Sequence, residues 1–354
     1  MSLKRTWLIA LTAVLVAIGV VESPAAFAAV GGVVFTPGST AAGATSSWDV
    51  KFVPSNGTTG ELKAGDKITV TFNSSFTVPT TPVVTLTGGF TGNCTTTVTK
   101  PSAAVIQITL GGTTCDLKNT TGTVTVAGIT NPAAGTYAGS SFSVLTSKDT
   151  AGSPTGSIVI GPGAPAKLAF VQGPVNGSAG TALSPAITVQ VQDQFGTATG
   201  ASGTTVSLAS SAGTIDAGAV ATTNASGLAT FSGVVLNTTG LGLTMTATAS
   251  SLTSAVSNSF NITVAVSSGA TLTNTASDGT GSGVKSVAYY YCAGYSGSCT
   301  SANWTLIGTS TTASSYQVTW TSTPAPGAYR VVSTSTDNVA NVSQPTASTP
   351  VTVS

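Results

Sequence analysis

Apolar and polar residues alternate along most of the chain after its N-terminal segment. The run KITVTF places Ile68, Val70 and Phe72 on one face, and AITVQVQDQF and YQVTW repeat the pattern further on. An alternation with a period of two puts apolar side chains on one side of a β-strand and polar side chains on the other. Gly, Pro, Asn, Ser and Asp separate these runs, as turn residues do. The pattern therefore predicts an all-β chain of antiparallel sheets, each with one face in water.

Two breaks in this pattern predict three β-domains. GPGAPAK, residues 161–167, is a Pro- and Gly-rich linker after the strand SIVI, and AVSSGA, residues 265–270, follows the strand SFNITVAV. The predicted domains are residues 29–162, 163–266 and 267–354. The last two have about one hundred residues each, which is the usual size of an immunoglobulin-like sandwich. We therefore expect tandem immunoglobulin-like antiparallel β-sandwiches.

The N-terminal segment has the form of a secretory signal peptide. Lys4 and Arg5 precede the apolar run Trp7–Val21, and the small-residue site Ala26-Phe27-Ala28 follows. An uncleaved membrane anchor is the alternative, but the run of about fifteen residues is shorter than the roughly twenty that span a bilayer. We expect residues 1–28 to be removed, which leaves a secreted or extracellular protein without a membrane span, either free or associated with the cell surface.

The chain carries little charge. Charged residues make up 6% of it, against roughly 25% in typical domains. The signal segment holds Lys4, Arg5 and Glu22, so nine basic and nine acidic residues follow it, without clusters. Nucleic acids and anionic membranes both require basic patches. We therefore expect no nucleic-acid partner, and an extracellular protein or glycan of unknown identity instead.

The absence of histidine removes several chemistries. Ser–His–Asp and Cys–His activation cannot be built, and neither can histidine-ligated metal sites. Acid–base hydrolysis would need two carboxylates about 5–10 Å apart, and Asp49, Glu61, Asp66 and Asp116 all lie in the first predicted domain. We expect each of them to be a solvated turn residue, and hence no catalytic residue, no cofactor and no metal site. A hydrolase in this domain is an alternative.

Further acidic and amide side chains are expected to cap turns. Asp193, Asp278, Asp337 and Asn338 lie between apolar runs, where Asp and Asn accept hydrogen bonds from nearby backbone N–H groups. A calcium site requires six to eight oxygen ligands, and these residues are far apart in sequence. Calcium between domains is an alternative that the sequence leaves open.

The four cysteines are expected to form two disulfides, because the chain is expected to be exported. Their spacing favours Cys94 with Cys115 and Cys292 with Cys299, since any other pairing would bridge different domains. The first bond would join the ends of a hairpin and contribute roughly 3 kcal/mol in the chain-entropy model. A zinc site would need all four thiolates together, and the sequence has no CxxC pair.

The run YYYCAGYSGSC, residues 289–299, contains two of these cysteines. Alternation places Tyr289 and Tyr291 on one face with Val287, which predicts that this face is core. AGYSGS is then the Gly-rich tip of a hairpin whose base the disulfide closes. Tyr290 and Tyr295 lie on or beside this tip, and we expect them to form a contact surface.

Three tryptophans follow the signal segment. Trp48 and Trp320 alternate with apolar neighbours, so we expect both in the core, and we expect the same of Trp304 in NWTLIG. Exposed Trp or Tyr rings could instead bind sugars. A row of such rings is the feature that would favour a carbohydrate-binding protein.

The middle and last predicted domains resemble bacterial immunoglobulin-like domains. The middle one has the opening KLAF, the turn VQVQDQFG with Asp193 and Gly196, then GLATFSGV and LTMTATA, in the order found in invasin-type adhesins. The last one is similar to a second bacterial type close to fibronectin type III, through TASDGTGSGVKSVAYYY, NWTLIGTS and GAYRVVSTSTDNVANVS. Relatives usually carry Ala-Gly-Asn where this chain has Val339-Ala340-Asn341. The first predicted domain resembles N-terminal β-modules of bacterial secreted repeat proteins.

These resemblances imply an exported, non-catalytic protein of the cell surface or the extracellular space. Its tandem domains would have a structural or adhesive role, with recognition by loops at the ends of the sandwiches. The alternative is a secreted carbohydrate-binding protein that acts on polysaccharides.

Overall fold

The computed structural model describes residues 27–57, 59–279, 281–312 and 315–354. The predicted signal peptide, residues 1–28, therefore lies outside the described residues except at its last two positions. No helix in the described ranges is long and apolar enough to cross a membrane. Two short 3-10 turns, Gly139–Ser141 and Ser301–Asn303, interrupt a structure made of strands. The all-β prediction is confirmed.

The chain forms two compact units. The first comprises the described residues up to Ser39, Thr45–Thr130 and Thr136–Ile158, and the second comprises Thr40–Ala44, Asn131–Gly135 and Val159–Ser354. The three domains predicted from the sequence divide the chain more finely than these two units do, so their boundaries stay a prediction.

The strands up to residue 160 build the first unit and its border. Four of them form the antiparallel sheet β1-β2-β9-β5, four form the antiparallel sheet β11-β4-β7-β6, and β3 pairs with β8. Their bounds are β1 Gly31–Pro37, β2 Thr45–Val53, β3 Leu62–Lys63, β4 Lys67–Thr71, β5 Val83–Gly88, β6 Thr95–Ser102, β7 Val105–Gly111, β8 Asp116–Leu117, β9 Gly122–Thr130, β10 Gly135–Tyr137, β11 Ser143–Thr146 and β12 Ile158–Ile160.

The core of the first unit follows from the alternation. In β4 the side chains of Ile68 and Val70 are fully buried while their neighbours are not. Trp48 of β2 is fully buried, as predicted, and its ring packs edge-to-face on Phe72 and Phe76 at centroid distances of 5.7 and 5.2 Å. Each buried large side chain contributes about 1.5–3 kcal/mol, and edge-to-face aromatic pairs add to this.

The strands after residue 160 build the second unit. They form the sheets β13-β15-β18, β17-β16-β20-β21 and β23-β26, and one large sheet in the order β14-β22-β28-β27-β24-β25, in which β19 also pairs with β22. Their bounds are β13 Lys167–Gln172, β14 Gly177–Ser178, β15 Ile187–Gln192, β16 Thr205–Ser210, β17 Val220–Thr222, β18 Leu228–Phe231, β19 Gly240–Leu243, β20 Met245–Thr248, β21 Ala255–Val256, β22 Phe260–Val266, β23 Ala270–Leu272, β24 Val284–Ala293, β25 Thr305–Ser310, β26 Val318–Trp320, β27 Gly327–Asp337 and β28 Thr349–Val353.

Strand β22 contributes to two apolar cores. Phe260 and Ile262 belong to the core of the middle segment, whereas Val266 belongs to the core around Trp320. The second half of β22 pairs in parallel with the C-terminal strand β28, which pairs on its other side with β27. The predicted boundary after residue 266 therefore follows a strand that joins both cores within one sheet.

Candidate contact site at the second disulfide

The hairpin β24–β25 carries the site, and its alternation fixes which side chains face outward. Val287 and Tyr289 are buried in a small core, and Tyr291 packs against Trp320 at 5.3 Å. Trp320 is buried, as expected. Tyr290 and Cys292 consequently point to the opposite face of the sheet. The predicted facing of this strand is confirmed.

Both predicted disulfides are present. Cys94 and Cys115 join the ends of the hairpin β6–β7, with Cα atoms 4.5 Å apart. Cys292 and Cys299 close a short loop at the end of β24, with Cα atoms 5.9 Å apart. We call residues 292–299 the disulfide loop. Because its interior is mostly Gly and Ser, the covalent bond alone would leave it several conformations.

A buried arginine holds the interior of the disulfide loop. Arg330 of β27 is 8% exposed and lies beside Cys292 in the β24–β27 pairing. Its Nε donates to the carbonyl of Gly294 at 2.9 Å, its Nη2 to that of Ser296 at 3.0 Å and its Nη1 to that of Gly297 at 3.1 Å. Sequence reasoning missed this residue, although a lone Arg among the apolar and hydroxyl side chains of residues 328–336 was a signal.

Tyr295 attaches the loop to the C-terminal strand. Its hydroxyl lies 2.6 Å from Oγ1 of Thr352 in β28, and that Oγ1 lies 2.8 Å from Oγ1 of Thr263 in β22. The three hydroxyls connect the loop to β28 and, through it, to β22 of the large sheet. They border an open cleft of about 520 Å³, which Asn261 and Gly327 also line. Small-molecule sites are typically about 300–1,000 Å³.

Tyr290 stacks on Trp304, whereas the contact that Tyr295 makes is with Thr352. The ring centroids of Tyr290 and Trp304 are 4.9 Å apart with an interplanar angle of 26°. Trp304 was expected in the core, and that expectation is wrong: its side chain is only partly buried and joins none of the core clusters of the described chain. Its Nε1 donates to the carbonyl of Cys299 at 3.3 Å, which fixes the indole to the end of the disulfide loop. Leu306, opposite Tyr290 in β25, is 55% exposed.

The carboxylates of the first predicted domain form ion pairs and hydrogen bonds with other residues of that domain. Glu61 lies 2.9 Å from Lys63 and 3.6 Å from Lys118, and its side chain is 11% exposed. The hydrogen bond from Lys63, with the charge of Lys118, holds the pKa of the Glu61 carboxyl below its usual value despite partial burial. Glu61 is therefore ionised at neutral pH and is not a general acid.

The expectation of solvated turns is wrong for two of these residues. Asp49 lies within β2 and Asp116 within β8, and Asp49 accepts a hydrogen bond from Thr125 at 2.7 Å. Asp66 pairs with Lys148 at 3.5 Å. No group of three or more Asp, Glu, Cys or His side chains that could hold a metal ion occurs among residues 27–354 as described.

Asp193 caps its turn through backbone groups. Its carboxylate accepts hydrogen bonds from the N–H groups of Gly163, Phe195 and Thr197, each at 2.9 Å. Burial by itself would raise the pKa of Asp193, but these N–H groups and that of Gly196 together lower it. Thr197 contributes only its backbone N–H to this cap, so the cap does not depend on the side chain at that position.

Comparison with known proteins finds no matching family model and no similar curated protein. Among solved structures, the FN1–FN3 domains of chicken CNTN1 are 10% identical over 92% of this chain and 99% of theirs, with a TM-score of 0.29. Invasin, a bacterial integrin-binding protein, is 14% identical over 91% of this chain and 60% of its own, with a TM-score of 0.25. The major pilin SpaA of Corynebacterium diphtheriae is 12% identical over 66% and 64%, with a TM-score of 0.25.

Likeness of this size carries no function from those proteins to this one.

Proposed function

We propose that the protein is an exported, non-catalytic protein of the cell surface or extracellular space, with an adhesive or structural role. Its contact surface is the disulfide loop together with the aromatic side chains that flank it, Tyr290, Tyr295 and Trp304. Two disulfides support an extracellular location, since such bonds form and persist in oxidising compartments.

The observation that carries this proposal is the way the disulfide loop is held. The Cys292–Cys299 disulfide closes the loop covalently, and Arg330 donates hydrogen bonds to three of its carbonyl oxygens. The hydroxyl of Tyr295 is hydrogen-bonded to that of Thr352 in β28. A free loop of Gly and Ser would lose conformational entropy when it bound a partner. A loop that is already fixed avoids most of that loss, which is how preorganised binding surfaces gain affinity.

The first experiment is to fractionate the source culture with an antibody against the chain. We expect the protein in the cell-wall or extracellular-matrix fraction, from which denaturant releases it because its attachment is non-covalent. Protein found only in the cytosol would contradict export. Protein found only in the medium, with no adherence to cells or to extracellular polymers, would contradict the adhesive and structural role.

A carbohydrate-binding role is the second candidate. The observation that favours it is the stacked, partly exposed pair of Tyr290 and Trp304. The two candidates differ in the partner and share the surface.

A further inference from the structure

We infer that the partner of this surface is an uncharged polysaccharide, bound at the aromatic patch formed by Tyr290, Trp304 and Leu306. This inference rests on the proposed contact function and adds the chemical class of the ligand. It depends on three properties of the patch: fixed aromatic rings, absence of charge and a hydroxyl-rich border.

The rings of the aromatic patch are held in place. Tyr290 stacks on Trp304 at 4.9 Å, and the indole N–H of Trp304 is bonded to the carbonyl of Cys299. Leu306 extends the apolar surface from the neighbouring strand and is 55% exposed. Flat, rigid rings with one polar edge provide a large contact area at a small cost in side-chain entropy. Since the two rings cover one face of each other, a sugar ring would place its C–H face on the outer face of the stack.

The chain segment that carries the patch has no charge. Residues 286–329, which include Tyr290, Trp304 and Leu306, contain no Asp, Glu, Lys or Arg, and the one charged residue of the hairpin, Lys285, lies at the start of β24, five positions before Tyr290. The nearest guanidinium in sequence, that of Arg330, is buried and bonded to three carbonyls of the disulfide loop. An anionic ligand would need a cation here to compensate its charge, and a cationic ligand would need a carboxylate. The chemistry of this surface therefore selects a neutral ligand.

Short hydroxyl and amide side chains surround the patch. Exposed residues next to it in the chain include Ser298, Thr300, Ser301 and Asn303. Groups that both donate and accept hydrogen bonds match the hydroxyls at the edge of a sugar ring. A protein partner in a stable complex would instead cover about 800 Å² with an apolar centre, whereas this patch has three apolar side chains with Ser, Thr and Asn next to them in the chain. Repeated sugar units on one polymer would add weak single contacts together.

The test measures retention of the full chain on insoluble cellulose, chitin and starch. Polygalacturonate and heparin serve as anionic probes, and immobilised collagen as a protein probe. We expect retention on at least one neutral polysaccharide. Added salt at 0.5 M, where the screening length is about 4 Å, weakens contacts between exposed charges. It should change this retention little, because no ion pairs are involved. Binding should also change the tryptophan fluorescence, since Trp304 is partly exposed whereas Trp48 and Trp320 are buried.

Two variants locate the binding site. Trp304→Ala should weaken retention about tenfold or more, the effect of losing roughly 1.4 kcal/mol, while Trp304→Phe, which keeps a ring, should weaken it much less. Leu306→Ser changes an exposed side chain, is compatible with folding and should weaken retention several-fold. Val342→Ala, exposed and outside the hairpin, is the control and should bind like the parent chain.

Retention on none of the neutral polysaccharides would overturn the inference, and so would retention that Trp304→Ala and Leu306→Ser leave unchanged. Salt-sensitive binding to the anionic probes, or binding to collagen alone, would also overturn it. In these cases, wall or matrix association in the fractionation experiment would still leave the adhesive or structural function intact. Loss of that association is what contradicts the proposed function.

Discussion

Arg330 lies directly opposite Cys292 in the antiparallel pairing of β24 and β27. The two residues fix the same loop in different ways. Cys292 joins its ends through the disulfide, and the guanidinium of Arg330 donates hydrogen bonds to the carbonyl oxygens in its interior. A guanidinium presents its donors in a rigid plane, so it can satisfy three carbonyls at set directions, whereas an ammonium is a compact charge on a flexible stem. This relationship makes the shape of the disulfide loop depend on a residue far away in sequence.

Replacement of Arg330 by Lys should therefore loosen the loop although the charge is kept. We expect the free energy of unfolding to fall by about 2 kcal/mol, because loop carbonyls lose bonds to a charged donor. Amide hydrogen exchange should become faster at residues 294–298. Lys285→Arg, at an exposed position on β24, is the matched control and should leave both quantities unchanged. Unaltered exchange in the loop of the Arg330→Lys chain would contradict the role assigned to Arg330.

The disulfide and the arginine should act together rather than independently. Replacing Cys292 and Cys299 by Ser should cost about 2.5 kcal/mol in the chain-entropy model, less than the roughly 3.3 kcal/mol expected for the longer loop closed by Cys94 and Cys115. Groups that hold one loop are expected to be coupled by about 0.5–3 kcal/mol. A double-mutant cycle between the Cys292/Cys299 pair and Arg330, measured by urea unfolding, gives that coupling.

A coupling energy of zero in this cycle would show that the two groups hold separate structures. The Cys94/Cys115 pair combined with Arg330 is the control, because that disulfide lies in the other compact unit. Its effect should add to that of Arg330→Lys without coupling. Loss of the Cys292–Cys299 bond should also leave the first unit folded.

Asp193 should make the second unit sensitive to acid. Its folded-state pKa is lowered by four backbone N–H groups, which outweigh the effect of burial. A carboxyl whose pKa is lower in the folded state contributes stability above its unfolded pKa, and this contribution is lost as the pH falls through the folded value. Asp193→Asn should therefore destabilise the chain by roughly 2 kcal/mol at neutral pH. The difference should shrink below about pH 4, the ordinary range of an aspartate.

Urea midpoints measured between pH 7 and pH 2.5 test this dependence. Asp216→Asn makes the same change in net charge at an exposed position, where the carboxylate accepts a backbone hydrogen bond from Asn237 against the three that Asp193 accepts, and is the control. If the parent chain and Asp193→Asn lost stability in parallel across this range, the lowered pKa of Asp193 would have no part in stability.

The sequence predicted what depends on local pattern. Alternation placed Tyr289 in the core and Tyr290 outside it, because successive side chains of a strand point to opposite faces. Spacing alone paired the cysteines, since Cys292 and Cys299 are separated by only 7 positions. Trp48 was placed correctly for the same reason as Tyr289.

The sequence did not predict what depends on strand pairing between distant segments. Trp304 was expected in the core, as the other two tryptophans were. The register of β25 shifts between its pairs with Tyr289 and Tyr290, at Ile307, so Leu306 and Trp304 accompany the outward Tyr290. A β-bulge of this kind reverses the facing of the residues beyond it. Arg330 meets the disulfide loop only because β27 pairs with β24, and no local pattern contains that information.

Ala340 adopts a backbone conformation that favours glycine, with φ at 74°. The turn around it is nonetheless intact, because Asp337 accepts hydrogen bonds from the backbone N–H groups of Val339 and Asn341. A left-handed conformation costs a non-glycine residue roughly 1–2 kcal/mol. Ala340→Gly should remove that cost and, after the added entropy of the unfolded chain is subtracted, stabilise the protein by about 0.5–1 kcal/mol.

Thermal or urea unfolding measures the effect of this substitution. Ala347→Gly lies in the same stretch of chain, is exposed and is not among the positive-φ positions, so it should be neutral or slightly destabilising. Destabilisation by Ala340→Gly of the same size as by Ala347→Gly would show that the turn stores no strain.

The C-terminal strand should stabilise both segments that it joins. Val351 and Val353 of β28 are buried, and they pair with Val264 and Val266 on one side while β27 lies on the other. Replacing both valines by Ala should cost about 2–4 kcal/mol through lost apolar burial and the cavities left behind. Because β22 belongs to the same sheet, hydrogen exchange should accelerate in Phe260–Val266 as well as in Gly327–Asp337. Val342→Ala, 63% exposed, should change neither segment. Faster exchange confined to β27 would mean that β22 is held by the middle segment alone and that the two cores unfold independently.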